Sequence, residues 1–150
     1  MPKAKAHPDQ MGFDFSVPMP AADAGELAGL ERQINELVGT ILNTDPRPRE
    51  VIAAEMSVLL DDEISRAMLD AYASPARTEH KVPFSRLCAL VVVTNRQDML
   101  GPVMRKIGTA LLVGDEVKTA RMGQLQQRIN AAQAELRELK TIAPTIREKE

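Results

Sequence analysis

The residue types that perform most enzyme chemistry are scarce in this chain and do not converge. The two histidines, His7 and His80, and the single Cys88 do not have the spacing of a metal site or of a nucleophile and its base. Cys88 lies in an apolar stretch and is expected to be an inert core thiol. Three consecutive acids, residues 61–63, are expected to cap a helix and complement its dipole. Without a glycine-rich phosphate loop as well, we expect no enzyme, metal or other cofactor.

A second group of polar residues has the chemistry that reads DNA. Arg66 can form a bidentate hydrogen bond with guanine, and the Ser65 hydroxyl can bond to a base or a phosphate. Cations in the connector and helix start that follow could then contact phosphates. The predicted DNA-binding residues are Ser65, Arg66, Arg77, Lys81 and Arg86.

Two short helices must position those side chains. The first is expected to start at Pro46 to Pro48, with Asp45 as its cap, and to end at Leu60. The second is expected from about Asp62 to Ala73, capped by one of the acids at its start. Their size and order are those of a helix-turn-helix, in which the N-terminal residues of the second helix face base edges. Ser65 and Arg66 would then look outward while Ile64, Ala67 and Met68 hold the helix against the core.

The remaining apolar spacing predicts further helices. A stripe through residues 27, 30, 34, 37 and 41 predicts a helix from about Ala24, closed by the Pro46 that follows. Pro83 opens a helix over Phe84 to about Thr94, although residues 89–93 alone could also form a buried strand. A fifth helix is expected from Met99 to Leu111, weakened in its later half by Gly108.

The same pattern has a plain structural interpretation. Two amphipathic helices with a short connection occur in any helical bundle, and Ser65 and Arg66 can be ordinary surface residues. The acids of residues 61–63 lie where DNA would approach, and carboxylates beside phosphates repel them.

Four segments between Arg49 and Gly108 carry a family resemblance. They are Glu50–Leu60, Ile64–Tyr72, Val82–Leu90 and Thr94–Leu100. Together they resemble the CII-like helix-turn-helix regulators of temperate phages, in which a polar loop after the recognition helix leads to a proline-started helix and a Thr-x-Asn/Asp turn. The resemblance covers about 60 residues and implies a phage-derived transcription regulator. This chain departs from that pattern in a longer turn, which lacks the usual glycine and carries three acids.

The N-terminal tail contains a short peptide of another kind. The sequence from Gln10 to Phe15 resembles the peptide with which bacterial proteins dock on the replicative sliding clamp, a glutamine followed by alternating apolar anchors. The residues that would contact the clamp are Gln10, Met11, Phe13 and Phe15. In the alternative interpretation, the two phenylalanines pack on the chain's own helices.

The C-terminal segment has the spacing of a coiled-coil seam. Apolar residues from Met122 onward repeat at intervals of three and four, with polar residues between them, until Pro144 ends the helix. Such a stripe can fold back on the first helix or pair with another copy of the chain, which would suit a regulator that reads two half-sites. The predicted oligomerisation residues are Leu125, Ile129, Ala132, Leu136 and Leu139.

Composition is compatible with this organisation. The chain of 150 residues has no tryptophan and few other aromatic residues, which disfavours an all-β sandwich. Its net charge of −2 disfavours a protein that coats nucleic acid non-specifically. It has no apolar run long enough to span a bilayer and no secretory signal pattern, so we expect a cytoplasmic protein without membrane contact. The predicted fold class is all-α: a disordered tail (residues 1–24), a helix-turn-helix-containing bundle (25–113) and a coiled-coil-like helix (114–150).

Two functions follow from these patterns. The first is a phage-derived, non-enzymatic regulator that binds DNA through the helix-turn-helix and oligomerises. The second is a non-enzymatic helical adaptor or inhibitor that binds a protein partner through its tail and C-terminal helix. The net negative charge and the acids at the turn favour the second.

Overall fold

A computed structural model describes residues 16–74, 76–77 and 79–142, and in these ranges the protein is all-α. The prediction of an all-α fold is thereby confirmed. The one extended pairing in the described ranges is an isolated bridge between Pro20 and Ile107. The α-helices there are α1 (Leu30–Thr44), α2 (Arg49–Leu60), α3 (Arg66–Tyr72), α4 (Phe84–Thr94), α5 (Gly101–Lys106) and α6 (Asp115–Ile142), with a 3-10 turn over Gln97–Leu100 before α5.

Helices α1 to α4 enclose an aliphatic core. The packing of α2 on α4 is the most extensive, and α1 and α3 cover the remaining sides. Tyr72 contributes the one buried aromatic ring among the described residues. The side chains that are almost fully buried are Val38, Ile41, Ile52, Met56, Leu69 and Leu90. Leucine, isoleucine, valine and methionine thus supply most of this core.

Helix α1 begins later than the apolar spacing predicted. Residues 24–29 form hydrogen-bonded turns, and Gly29 takes a left-handed φ of 75° immediately before the helix. The predicted stripe is therefore wrong at its start, where Leu27 is 44% exposed. The later stripe residues Ile34, Leu37 and Ile41 do pack in or against the core. The buried face of α1 also includes Asn35, Val38 and Leu42, because the packing of the shorter helix sets its orientation.

Prolines mark the helix boundaries as predicted. Helix α1 ends at Thr44, α2 begins directly after Pro48, and α4 spans Phe84–Thr94 after Pro83. The alternative of a strand at residues 89–93 is wrong, since these residues lie inside α4. The prediction that Asp45 caps α2 is also wrong. Asp45 follows α1 as its C-cap, and its carboxylate binds Arg47.

Helix α3 is shorter than predicted. It begins at Arg66 and not near Asp62, because Asp61 takes a left-handed φ of 49° that ends α2 and leaves residues 61–65 as a connector. The prediction that one of the acids caps this helix is therefore wrong, and Ser65 is the N-cap.

The two faces of α3 agree with the prediction only in part. Ile64, which lies in the connector, is buried as expected. Met68, expected against the core, is 37% exposed, and Ala67 is exposed as well. The short helix turns Leu69 and Tyr72 inward instead.

The predicted fifth helix is interrupted. A 3-10 turn and the six-residue α5 replace it, and α5 ends at Lys106 because Gly108 takes a left-handed φ of 78°. Residues 16–22 lie beside this end: Ala21 N–H donates to Lys106 O at 2.8 Å, and a Cβ on Gly108 would come within 2.9 Å of Pro20 Cβ. For residues 1–15 the expected disorder lies outside the described residues and stays a prediction, whereas residues 16–22 make the contacts just described.

The chain divides into two compact units between Leu111 and Leu112. The first contains α1 to α5 and the core. The second contains α6, a helix of 28 residues, none of them buried. None of the helices in the described ranges combines the length and apolar character needed to cross a membrane.

Candidate functional site

The connector between α2 and α3 is fixed by one hydroxyl group. Ser57 Oγ donates to Ala53 O at 2.8 Å and accepts from Ile64 N–H at 2.9 Å. Because the side chain of Ile64 is buried next to this bond, the end of the connector is held on α2. The start of α3 therefore has a defined place beside α2, as the helix-turn-helix interpretation requires.

The hydroxyl of Ser65 is already engaged. It accepts a hydrogen bond from Met68 N–H at 3.2 Å and so caps the first turn of α3. A hydroxyl can still donate its proton while it accepts this bond. The role left to Ser65 toward a base or a phosphate is thus that of a donor from the helix start.

Arg66 lies on the surface, as predicted, but its charge is compensated. Its side chain is 59% exposed, with Nη1 2.6 Å from Glu50 Oε1 and Nε 3.4 Å from Asp70 Oδ2. Asp70 also binds Arg49, whose Nη2 donates to Asn43 Oδ1 at 2.7 Å. Four charged side chains from α2 and α3 thus form one network. To bind guanine, Arg66 would have to exchange both carboxylates for the base.

The pKa values in this network follow from its hydrogen bonds. The pKa of Glu50 lies below its ordinary value because the carboxylate accepts a bond from its own backbone amide and another from Arg66. The pKa of Asp70 is lowered chiefly by its bond to Arg49, and the charge of Arg66 adds to the effect. Both acids therefore stay ionised beside the arginines at neutral pH. Sequence reasoning placed Asp70 on the outward face of this helix but missed the pairing of both acids with the arginines, although the spacing of four between residues 66 and 70 was a readable signal.

Arg86 is a structural residue in this fold. Its side chain is 21% exposed, and it binds the Tyr72 hydroxyl and Asp62 Oδ2, the latter at 3.0 Å. These bonds, first that to Asp62 and then that to Tyr72, raise the pKa of Arg86. Arg86 thus connects α4 with α3 and the connector. A role in gripping phosphate would compete with these bonds.

The two remaining predicted cations form no ion pair with α3 in the described ranges. Lys81 Nζ is 2.9 Å from Glu31 Oε1, a pair in which both side chains are largely exposed. Arg77 is exposed and has no ion pair within the described part of the chain. Of the five predicted DNA-binding residues, only Ser65 and Arg66 lie together at the start of α3. Arg86, on α4, contacts the connector before α3 through Asp62.

We call the exposed and partly exposed polar side chains at this corner the α2–α3 surface. Its charges are unbalanced toward acid, since five carboxylates accompany three arginines. The members are Arg49, Glu50, Asp61, Asp62, Glu63, Ser65, Arg66, Asp70 and Arg86. Because its acids outnumber its arginines, this surface is not expected to attract a polyanion over distance.

A second candidate site lies on α6. Apolar side chains at intervals of three and four form one stripe along the helix, and all described residues of α6 are exposed. The large side chains of this stripe between residues 122 and 139 are 41% to 70% exposed. We call the six residues the α6 stripe: Met122, Leu125, Ile129, Ala132, Leu136 and Leu139.

The polar residues beside the stripe were missed by sequence reasoning. Gln126, Arg128, Gln133 and Glu135 occupy the heptad positions that flank it, and heptad position is the signal that identifies them. Arg128 and Glu135 form no ion pair within the described part of the chain. Their charges therefore remain available beside the exposed apolar residues.

The structure leaves one predicted set untested. The clamp-docking residues Gln10, Met11, Phe13 and Phe15 lie outside the described residues. Cys88, expected in the core, is only partly buried in α4. Among the described residues, no three histidines, cysteines or acids come together as a metal site would require.

Comparison with known proteins adds no assignment. No family model, no curated protein and no solved structure matches this chain.

Proposed function

We propose that this chain is a cytoplasmic, non-enzymatic interaction protein whose contact element is helix α6. The observation that carries the proposal is the α6 stripe, an apolar face that is exposed along a helix of 28 residues. Contiguous apolar surface of this kind on a soluble chain marks an interaction site. The folded unit of α1 to α4 then serves as the body that α6 attaches to a partner.

The low stability expected of an isolated helix favours a partner for α6. A single helix in water is marginal, since most helical stability in proteins comes from packing of the amphipathic face. Local features favour this helix: Asp115 and Glu116 lie at its positive end, Lys140 near its negative end, and Glu116 Oε2 accepts from Val113 N–H at 2.9 Å. These contributions of a few tenths of a kcal/mol each are smaller than the free energy that burial of the six stripe residues would provide.

Position-specific photocross-linking tests the proposal. A photoreactive p-benzoylphenylalanine placed at Ile129, in the stripe, should give covalent adducts in cells that express the chain. The same residue at Gln127, on the opposite face of α6, is the matched control and should give few. Equal adducts from both positions, or none from position 129, would contradict the proposal. A second copy of the chain and a different protein are told apart by the mass of the adduct.

DNA-binding regulation is the second candidate, and the exposure of Arg66 favours it. Arg66 lies at the first position of α3, where helix-turn-helix proteins contact bases, and Arg77 adds an exposed cation farther along the chain. In this candidate, Ser65 and Arg66 contact bases, and Arg77, Lys81 and Arg86 contact phosphates. The acids of the α2–α3 surface weigh against it, which is why it ranks second.

Titration of labelled duplex DNA at low salt tests the second candidate. The duplex would carry the sequence that flanks the chain's own gene, and binding would be followed by anisotropy. If the candidate holds, the Arg66→Ala/Lys81→Ala variant binds at least tenfold more weakly, as expected for loss of one base contact and one phosphate contact. Arg32→Ala is the matched control, since Arg32 is an exposed arginine of α1 paired with Glu36. Equal binding by both variants, or no binding by the parent chain, would exclude it.

A further inference from the structure

The sequence of the α6 stripe and its flanks is complementary to itself in one orientation. We propose that α6 pairs with α6 of a second copy of the chain in antiparallel orientation, with Ile129 of each copy packed against Ala132 of the other. This inference rests on the proposed function, because it assumes that α6 is the contact element. It adds the identity of the partner, the direction of the helices and the register.

The apolar layers fit this register. With Ile129 opposite Ala132, Leu125 lies opposite Leu136 and Met122 opposite Leu139, so the two-fold axis produces six layers from the six residues of the stripe. The small Ala132 meets the large Ile129 in both central layers. Facing large and small side chains keep the distance between the helix axes uniform, which close packing requires.

The polar flanks fit the same register. In an antiparallel pair, residues that precede the first apolar position of a heptad face each other across the seam, and so do residues that follow the second. Arg128 therefore lies beside Glu135 of the second copy, and the axis repeats this ion pair. On the other side Gln126 lies beside Gln133, and two amides can donate to and accept from each other.

Neighbouring antiparallel registers bring like charges together. A shift of one heptad in one direction places Arg128 against Arg128 of the second copy and puts the charged Asp115 and Lys118 into the seam, although it also brings Arg121 beside Glu135. A shift in the other direction places Glu135 against Glu135 and loses outer layers. Like charges in these positions are repulsive and select against the wrong pairing. The flanking charges and the apolar layers together therefore favour the register with Ile129 opposite Ala132.

A parallel pair fits less well. It would place Ala132 against Ala132 and Ile129 against Ile129, so that the helices would have to approach at one layer and separate at the next. Glu135 would still meet Lys140, but Arg128 would face the neutral Gln133. The parallel arrangement therefore loses the Arg128 pair and uniform packing together.

Charge reversal with sedimentation equilibrium tests direction and register. Arg128→Glu should weaken dimerisation about tenfold, because two attractive pairs become repulsive. Glu135→Arg should do the same, and the double variant Arg128→Glu/Glu135→Arg should regain the parent affinity. The matched control is Arg137→Glu, a reversal outside the seam that should leave dimerisation unchanged. If Arg128→Glu has no effect while Glu135→Arg weakens the dimer without rescue, the pair is parallel and the inference is wrong.

Disulfide cross-linking gives an independent measurement. In a Cys88→Ala background, Ile129→Cys and Ala132→Cys chains mixed together should give mainly the mixed disulfide. Homodisulfides from each variant alone, at equal yield, would overturn the inference. A parent chain that stays monomeric would overturn it too, while the proposed function would still stand if position 129 cross-links to another protein. Absence of adducts from position 129 would instead remove the proposed function.

Discussion

The two units of this protein use the same kind of residue in opposite ways. Leu90 of α4 is 1% exposed, whereas Leu136 of α6 is 52% exposed. Helix α4 is apolar over most of its length, whereas α6 carries single apolar residues at intervals of three and four between polar ones. In the first unit, four helices cover each other's apolar faces. In the second unit, the apolar face of α6 is exposed to solvent. Leucine thus belongs to a buried core in one unit and to an exposed apolar face in the other.

The largest expected effect comes from deleting one of these leucines. Leu90→Ala should lower the free energy of unfolding of the first unit by about 3 kcal/mol, because a fully buried side chain leaves a cavity. Leu136→Ala should leave that free energy unchanged and weaken only self-association. Urea denaturation at concentrations below dimerisation measures the difference. Similar destabilisation by both substitutions would show that Leu136 belongs to the core of the folded unit.

Replacement of one arginine in each unit should show the same difference in stability, with a smaller change in the free energy of unfolding. Arg86→Met keeps the length of the side chain and deletes its bonds to Asp62 and Tyr72, so we expect a loss of about 1–2 kcal/mol. The same replacement at Arg137, an exposed residue of α6, should cost almost nothing. Denaturation of the two variants side by side is the measurement. An unchanged midpoint for Arg86→Met would mean that its bonds contribute nothing net.

Acid should destabilise the first unit through Asp45. A hydrogen bond from Arg47 holds the pKa of Asp45 below its ordinary value, so the ionised carboxylate stabilises the fold at neutral pH. This contribution is present above the unfolded pKa of about 4 and is lost as the pH falls through the lower folded pKa. Asp45→Asn should therefore lower stability at pH 7 and flatten its decline toward pH 2.

The control for this pH dependence lies in α6. Asp115→Asn removes an acid whose pair with Lys118 is almost fully exposed, at 89% and 80%, and should leave the pH dependence of the first unit as in the parent chain. Equal flattening by both variants would assign the effect to general charge and not to the bond between Asp45 and Arg47.

Two glycines should give the smallest effects. Gly123→Ala should raise the helicity of α6 and stabilise it by about 0.5–1 kcal/mol, because the site is open and alanine favours helix. At Gly39 in α1, a Cβ would lie 3.3 Å from Ala73 O, so crowding offsets the same gain. Far-UV circular dichroism and denaturation of both variants provide the test. A larger gain at Gly39 than at Gly123 would contradict the contrast.

The sequence was most informative where local chemistry decides the structure. A proline disfavours helical conformation in the residue before it and is tolerated at the start of a helix. The starts of α2 and α4 were therefore predictable. The start of α3 was not, because Asp61 competes for two roles. An acid can cap a helix, but here it adopts a left-handed conformation and ends one.

The candidate sites were predictable to different degrees. The exposure of Arg66 followed from helical periodicity, but its pairing with Glu50 depends on the angle between α2 and α3, which no local pattern contains. The burial of Arg86 beside Tyr72 likewise depends on packing between distant segments. By contrast, the α6 stripe needed only helical spacing, so its residues were identified in full.

Tyr72 makes the two units separable by light. It is the only tyrosine in a chain without tryptophan, and it lies in α3, with its hydroxyl bound to Arg86. Intrinsic ultraviolet emission therefore reports on the environment of α3 and α4, while α6 contains no chromophore of this kind. Comparison of this optical signal with total helicity can resolve melting of the two units without any label.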